Sequence, residues 1–131
     1  MAQSEIILGG LPYGADIVVG EELEVGTFTI GGTTYTRYVK AIKITTELPT
    51  TTTAKAIGSL GETYIGVLGL SGLVASTNTM MSLPLPYAGY DGTDVLSIGI
   101  FMQGDDIYMR TSKANFLTAY DSTIIFVEYY R

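Results

Sequence analysis

Val25 to Ile44 reads VGTFTIGGTTYTRYVKAIKI, and this stretch decides the fold. Gly31-Gly32 sits between two runs of β-branched and aromatic residues, and paired glycines supply the positive φ values of a tight hairpin turn. The spacing predicts a β-hairpin. In its second arm Tyr35, Arg37 and Val39 fall on one face, and Thr34, Thr36, Tyr38 and Lys40 on the other. Both faces are mixed, so the pattern leaves open which one is buried.

The same grammar extends outward in both directions. Short β-branched and aromatic runs alternate with Gly, Pro, Asn and Asp about every 8–12 residues, the signature of a sandwich or barrel. Val95 to Gln103, Ile107 to Arg110 and Ser122 to Tyr130 read as strands, with Gly104-Asp105-Asp106 turning between the first two. Tyr64 to Val74 reads as a strand or strand pair interrupted by Gly66, Gly69 and Gly72, glycines that mark bulges or close backbone approach, within the chain or between subunits. Met80 to Leu85 reads as a further strand, and Ile6 to Leu8 and Ile17 to Val19 as short ones near the start. Tyr87 to Asp94 is the most loop-like segment, Thr50 to Thr53 a loop or edge, and Thr111 to Tyr120 a bridge to the last strand. Almost no apolar helical period runs beyond a turn, and there is no internal repeat. The expected fold is all-β, an antiparallel, jelly-roll-like β-sandwich. Residues 1–22 would form an amino-terminal, stalk-proximal segment without heptads, and residues 23–131 the sandwich, with Glu21, Glu22 and Glu24 a solvated entry to the hairpin.

Composition narrows the function. A chain of 131 residues has room for one domain and one core. Hydrophobic residues make up 47% and charged residues 15%, which argues against disorder. No window approaches the roughly 18 consecutive apolar residues of a membrane helix, and the first residues lack the basic and apolar regions of a secretory signal. A net charge of −6 with seven scattered Lys and Arg argues against nucleic acid as a partner. With no Cys, stability rests on packing rather than disulfides, and with no His the commonest general base and metal ligand is missing.

Any chemistry therefore falls to Asp, Glu, Tyr, Lys or Ser. Asp91, Asp94, Asp105 and Asp106 can be read as a glycosidase pair or as oxygen ligands for Ca²⁺. Asp91-Gly92-Thr93-Asp94 and Gly104-Asp105-Asp106 are, more simply, turn sequences, because Asp caps its own backbone. No catalytic residue, metal or cofactor is assigned. For ligand binding the loop Pro86 to Asp94 is the leading candidate: Tyr87 and Tyr90 offer rings to the apolar face of a sugar, and Asp91 and Asp94 accept from its hydroxyls. A second candidate is Lys113-Ala114-Asn115 with Tyr120 and Asp121. The ligand-binding set is Tyr87, Tyr90, Asp91, Asp94, Asn115 and Tyr120. Ten tyrosines are more than a core needs, and positive mean hydropathy with few charges suggests apolar surface covered by other subunits.

Several of these segments, taken in order, resemble the carboxy-terminal heads of phage tail-fibre and baseplate receptor-binding proteins. Glu24 to Arg37 is similar to that family's opening hairpin, with Phe28 where Trp is usual. Leu48-Pro49, then Ile57-Gly58, resembles its Leu-Pro loop and following strand, with Ser59-Leu60-Gly61 in place of a characteristic His. Ile107 to Thr111 and Ile124 to Arg131 resemble its closing strands, with Tyr130-Arg131 where Thr-Lys is usual. The resemblance covers Glu24 to Arg131 through short motifs. It implies an antiparallel sandwich assembled as a homotrimer at the virion tail tip, joined to the rest of a fibre or baseplate, binding host cell-surface saccharides outside the host cell without inserting into the membrane. The alternative expectation is a structural fibre-tip component that contacts no glycan. Depolymerase action is disfavoured by size and by the lack of a convincing acid/base pair.

Overall fold

A computed structural model describes residues 6–8, 11–13, 19–76 and 80–131. The expected hairpin, β3 (Glu22–Ile30) and β4 (Thr33–Lys43), forms one side of the larger sheet and follows a small antiparallel pair, β1 (Ile6–Leu8) and β2 (Leu11–Tyr13). Gly31 and Gly32 turn the hairpin with φ of 59° and 83°, the two positive values a type I′ turn requires. Phe28 therefore lies opposite Tyr35, and Thr29 opposite Thr34.

The remaining strands are β5 (Lys55–Ser59), β6 (Gly66–Ala75), β7 (Met80–Pro84), β8 (Tyr87–Tyr90), β9 (Val95–Gln103), β10 (Asp106–Thr111) and β11 (Ile124–Tyr130). They form two antiparallel sheets, one ordered β3-β4-β11-β6-β7 and one ordered β5-β10-β9-β8. Between the sheets Val74, Ile125, Val127 and Tyr129 meet Leu96, Ile98, Ile107 and Met109, and Leu48, Leu60 and Phe116 complete the core. The protein is an all-β sandwich.

The hairpin's mixed pattern now has its physical reason, since β4 is packed on both sides. Tyr38 and Ile42 pack against the main core, whereas Val39 and Ala41 join Leu73, Ala75 and Phe126 in a second cluster on the opposite face. A strand buried on both faces shows no clean alternation. Half of the ten tyrosines find structural roles in the main core: Tyr120 and Tyr129 belong to it, and Tyr38, Tyr64 and Tyr87 pack against it.

Two expectations are corrected and two are made specific. Tyr87 to Asp94 is not mainly loop, because Tyr87–Tyr90 pairs with Val95 to Ile98 and only residues 91–94 turn. Gly89 makes this possible: a side chain there would meet the Tyr87 hydroxyl at 2.4 Å, so Tyr87 folds over it. The bridge from Thr111 to Tyr120 holds a short helix, α1 (Phe116–Ala119), which Phe116 anchors in the core. Two of the three glycines in β6 serve close packing within the chain, Gly66 under the Tyr130 ring and Gly72 beneath Leu85 and Ile125; Gly69 flanks a bulge. Glu22 is not merely solvated. It receives two bonds from the Arg131 guanidinium at 2.6 and 2.7 Å, and the Tyr129 hydroxyl also donates to it. Of the expected strand Ile17 to Val19, residues 17 and 18 lie outside the described residues, and Val19 forms a single bridge to Ala41.

Candidate functional site

The two candidate segments, separated in sequence, come together at one open cleft of about 400 Å³ lined by Asp91, Thr93, Asp94, Lys113, Ala119 and Tyr120. Asp91 organises it. One carboxylate oxygen, Oδ1, accepts from the backbone N–H groups of Thr93 at 3.0 Å and Asp94 at 2.8 Å, which closes the turn between β8 and β9. The other, Oδ2, accepts from the Tyr120 hydroxyl at 2.8 Å and Lys113 Nζ at 3.2 Å, which ties that turn to the far wall. The far wall is itself fixed to β9, because Thr111 Oγ1 donates to the Ser97 carbonyl and Lys113 N–H donates back to Thr111 Oγ1. Phe116 packs its ring 5.2 Å from that of Tyr120, so the tyrosine reaches Asp91 from a rigid base.

The electrostatics follow from these bonds. The Asp94 and Thr93 amides, then the Tyr120 hydroxyl, hold the Asp91 carboxyl well below the usual carboxylate range. Burial, reinforced by the bond to Asp91, pushes the Tyr120 hydroxyl up to about 12. Asp91 is thus held ionised, the opposite of what a general acid requires. Its side chain is only 5% exposed and its oxygens are already engaged, so it positions the cleft rather than offering acceptors to a ligand. Asp94 is the open acceptor: its carboxylate is 71% exposed and lies 4.0 Å from Lys113 Nζ. A ligand hydroxyl placed between them would donate to Asp94 and accept from Lys113, the paired geometry by which polar sites fix orientation.

Of the residues expected to bind ligand, Asp91, Asp94 and Tyr120 line the cleft, and the other three do not. Tyr87 donates its hydroxyl to the Tyr90 carbonyl at 3.2 Å. Tyr90 is exposed at the end of β8, opposite Val95. Asn115 acts through its backbone: with φ of 56° it starts α1, and its carbonyl accepts from Thr118 and Ala119. Asp121 accepts a bond from Ser122 and takes no part in the lining. Asp105 belongs to another network, accepting from Ser59 Oγ at 2.7 Å and the Gly61 N–H at 3.2 Å. Among the described residues no group of three or more Asp or Glu is arranged to hold a metal ion. Sequence reasoning missed Ala119, which nothing in a sequence marks as cleft-lining.

A second cleft of similar size, lined by Phe28, Arg37, Leu68 and Glu128, was not anticipated. Its signal was available in Ile124 to Tyr130, where one Glu interrupts an otherwise apolar and aromatic run, because a charge inside a buried strand demands a partner. No family model matches the chain, and neither a curated protein nor a solved structure matches it.

Proposed function

We propose that this chain is a non-enzymatic binding module, the head of a phage tail-fibre or baseplate protein, which attaches the particle to host cell-surface saccharides through the Asp91-organised cleft. The observation that carries the saccharide reading is the pairing of an open acceptor, Asp94, with a fixed donor, Lys113, across a cleft whose walls are locked before any ligand arrives. Preorganisation of this kind lowers the entropy cost of binding. The phage assignment is supported by the segments Glu24 to Arg37, Ile107 to Thr111 and Ile124 to Arg131 and by the sandwich they form; assembly as a homotrimer, placement at the virion tail tip and attachment to a fibre or baseplate belong to the same proposal.

A glycan array read with wild type and with the double variant Asp94→Asn/Lys113→Met tests the reading. Wild type is expected to bind a subset of host-type glycans, and the variant to bind them at least about tenfold more weakly, since a hydrogen-bonded charge contributes about 1.5–3 kcal/mol and tenfold is about 1.4. Equal binding by a folded variant refutes the cleft assignment.

One observation bears on the assembly that both readings share. Ile65, Val67 and Leu68 are exposed in succession around the start of β6, an arrangement suited to contact with a neighbouring subunit. Light scattering tests that shared assembly: a trimer fits a fibre tip, whereas a monomer removes the fibre-tip architecture from both readings.

A further inference from the structure

The second cleft lies on the face of the five-stranded sheet turned away from the main core, and its polar groups are unusual in how they are used. Arg37 donates from both Nε, at 2.7 Å, and Nη2 to the same oxygen of Glu128, Oε2. Both bonds fall on Oε2, so neither Glu128 Oε1 nor Arg37 Nη1 is used in this ion pair. Glu128 is only 7% exposed, and a carboxylate this buried is costly unless it is paired, as Arg37 pairs it here. The apolar wall is Phe28, held in place by Tyr35 and Tyr130 with ring centroids 5.4 and 5.2 Å away, and Leu68, the extra residue at the β6 bulge, which is 46% exposed.

A donor and an acceptor on one ion pair, beside an apolar wall, select among ligand groups. A carboxylate would meet the charge of Glu128, and an ammonium that of Arg37. A secondary amide satisfies both at once: its N–H donates to Glu128 Oε1, its carbonyl accepts from Arg37 Nη1, and an attached methyl group packs on Phe28 and Leu68. The Phe28 ring is also a surface of the kind on which the apolar C–H face of a pyranose rests. We propose that this cleft binds the acetamido group of an N-acetylated amino sugar. The proposal stands independently of the Asp91 cleft, since it shares no residue with it.

Ligand-observed NMR titration of the intact chain with the methyl glycosides of N-acetylglucosamine, glucosamine and glucose tests it, using wild type, Leu68→Asp, Phe28→Ala and Asp94→Asn, each confirmed as folded by circular dichroism. The acetamido sugar is expected to bind with a Kd on the order of millimolar, and the two sugars lacking the acetyl group at least about tenfold more weakly. Leu68→Asp and Phe28→Ala should each lose that preference, while Asp94→Asn keeps it. Leu68 is exposed, so its replacement leaves the core intact, and Phe28→Ala supplies the same readout by a second route. Equal affinity for glucose overturns the proposal, as does full retention in both cleft variants or equally tight binding of an N-acetyl amino acid methylamide. Loss in Asp94→Asn with retention in Leu68→Asp assigns the sugar to the first cleft and overturns this inference alone.

Discussion

Replacing Phe116 with alanine is expected to lower stability by about 3–5 kcal/mol, because truncating a buried aromatic loses its transfer energy and leaves a cavity that a close-packed core fills poorly. Phe116 is fully buried, belongs to the main core and sits at the start of a helix only one turn long. So short a helix has no independent stability, and Phe116 is its only buried residue. The loss is a large part of the roughly 5–15 kcal/mol that a domain of this kind possesses, and should lower the thermal midpoint by at least about 10 °C. Scanning calorimetry of the variant checks this. A midpoint within about 2 °C of wild type would mean that the segment 113–120 is not held by this ring, and the far wall of the Asp91 cleft would lose its stated support.

The second large effect is expected from Asp91→Asn, a change of one charge at a position that does not contact ligand in this account. Asparagine keeps a side-chain oxygen for the Thr93 and Asp94 amides, so the turn survives. What disappears is the negative charge that holds Lys113 and orders the Tyr120 hydroxyl. Lys113 is then free to move away from Asp94, and saccharide affinity should fall at least about tenfold with the fold retained. The pH dependence has a definite sign. Asp91 has its pKa lowered from 3.8, and Glu22, through its Arg131 hydrogen bond, from 4.5. A depressed carboxylate contributes stability above its unfolded pKa and loses it as pH falls through the folded value. Wild type should therefore lose stability on acidification below about pH 4.5, and Asp91→Asn should show a shallower loss below about pH 4. Denaturant melts between pH 2 and 7 measure both slopes; identical slopes would mean that Asp91 is not charged in the tie described.

The sandwich was legible because its signals are local. Gly31-Gly32 and Gly104-Asp105 specify two-residue turns by backbone conformation alone, and Val95 to Gln103 alternates in a way only a strand satisfies. The burial of β4 was not legible, because a strand packed on both faces erases the period that would reveal its orientation. Tyr87 to Tyr90 looked like loop for a related reason: Gly89 reads as punctuation in a sequence, whereas in the fold it is the space that Tyr87 occupies. Glu22 looked solvated because its partners, Tyr129 and Arg131, lie at the other end of the chain and only sheet order brings them near.

The candidate site was legible in parts and not as a unit. Turn chemistry marks Asp91 and Asp94 in one candidate segment, and Lys113 and Tyr120 fall together in the second. Their convergence depends on β9 and on how the segment after β10 returns across it. Roles within the site shifted as well. Asp91, which as an isolated residue looks like an acceptor for ligand, has its acceptors occupied by the protein, and Asp94 takes that part. Tyr120 contributes a committed hydroxyl rather than a stacking surface, and Tyr90, the exposed ring, stands outside the lining. The second cleft escaped because Arg37 and Glu128 are 91 residues apart and meet only through the pairing of β4 with β11.

The central claim, that the Asp91-organised cleft is where a saccharide binds, is tested most directly by mapping amide chemical-shift changes in ¹⁵N-labelled protein titrated with a host surface polysaccharide. The largest changes are expected on Thr93, Asp94, Lys113 and Ala119, and Asp94→Asn/Lys113→Met is expected to abolish them. Changes confined to other surfaces, or a pattern in the double variant indistinguishable from wild type, would contradict it.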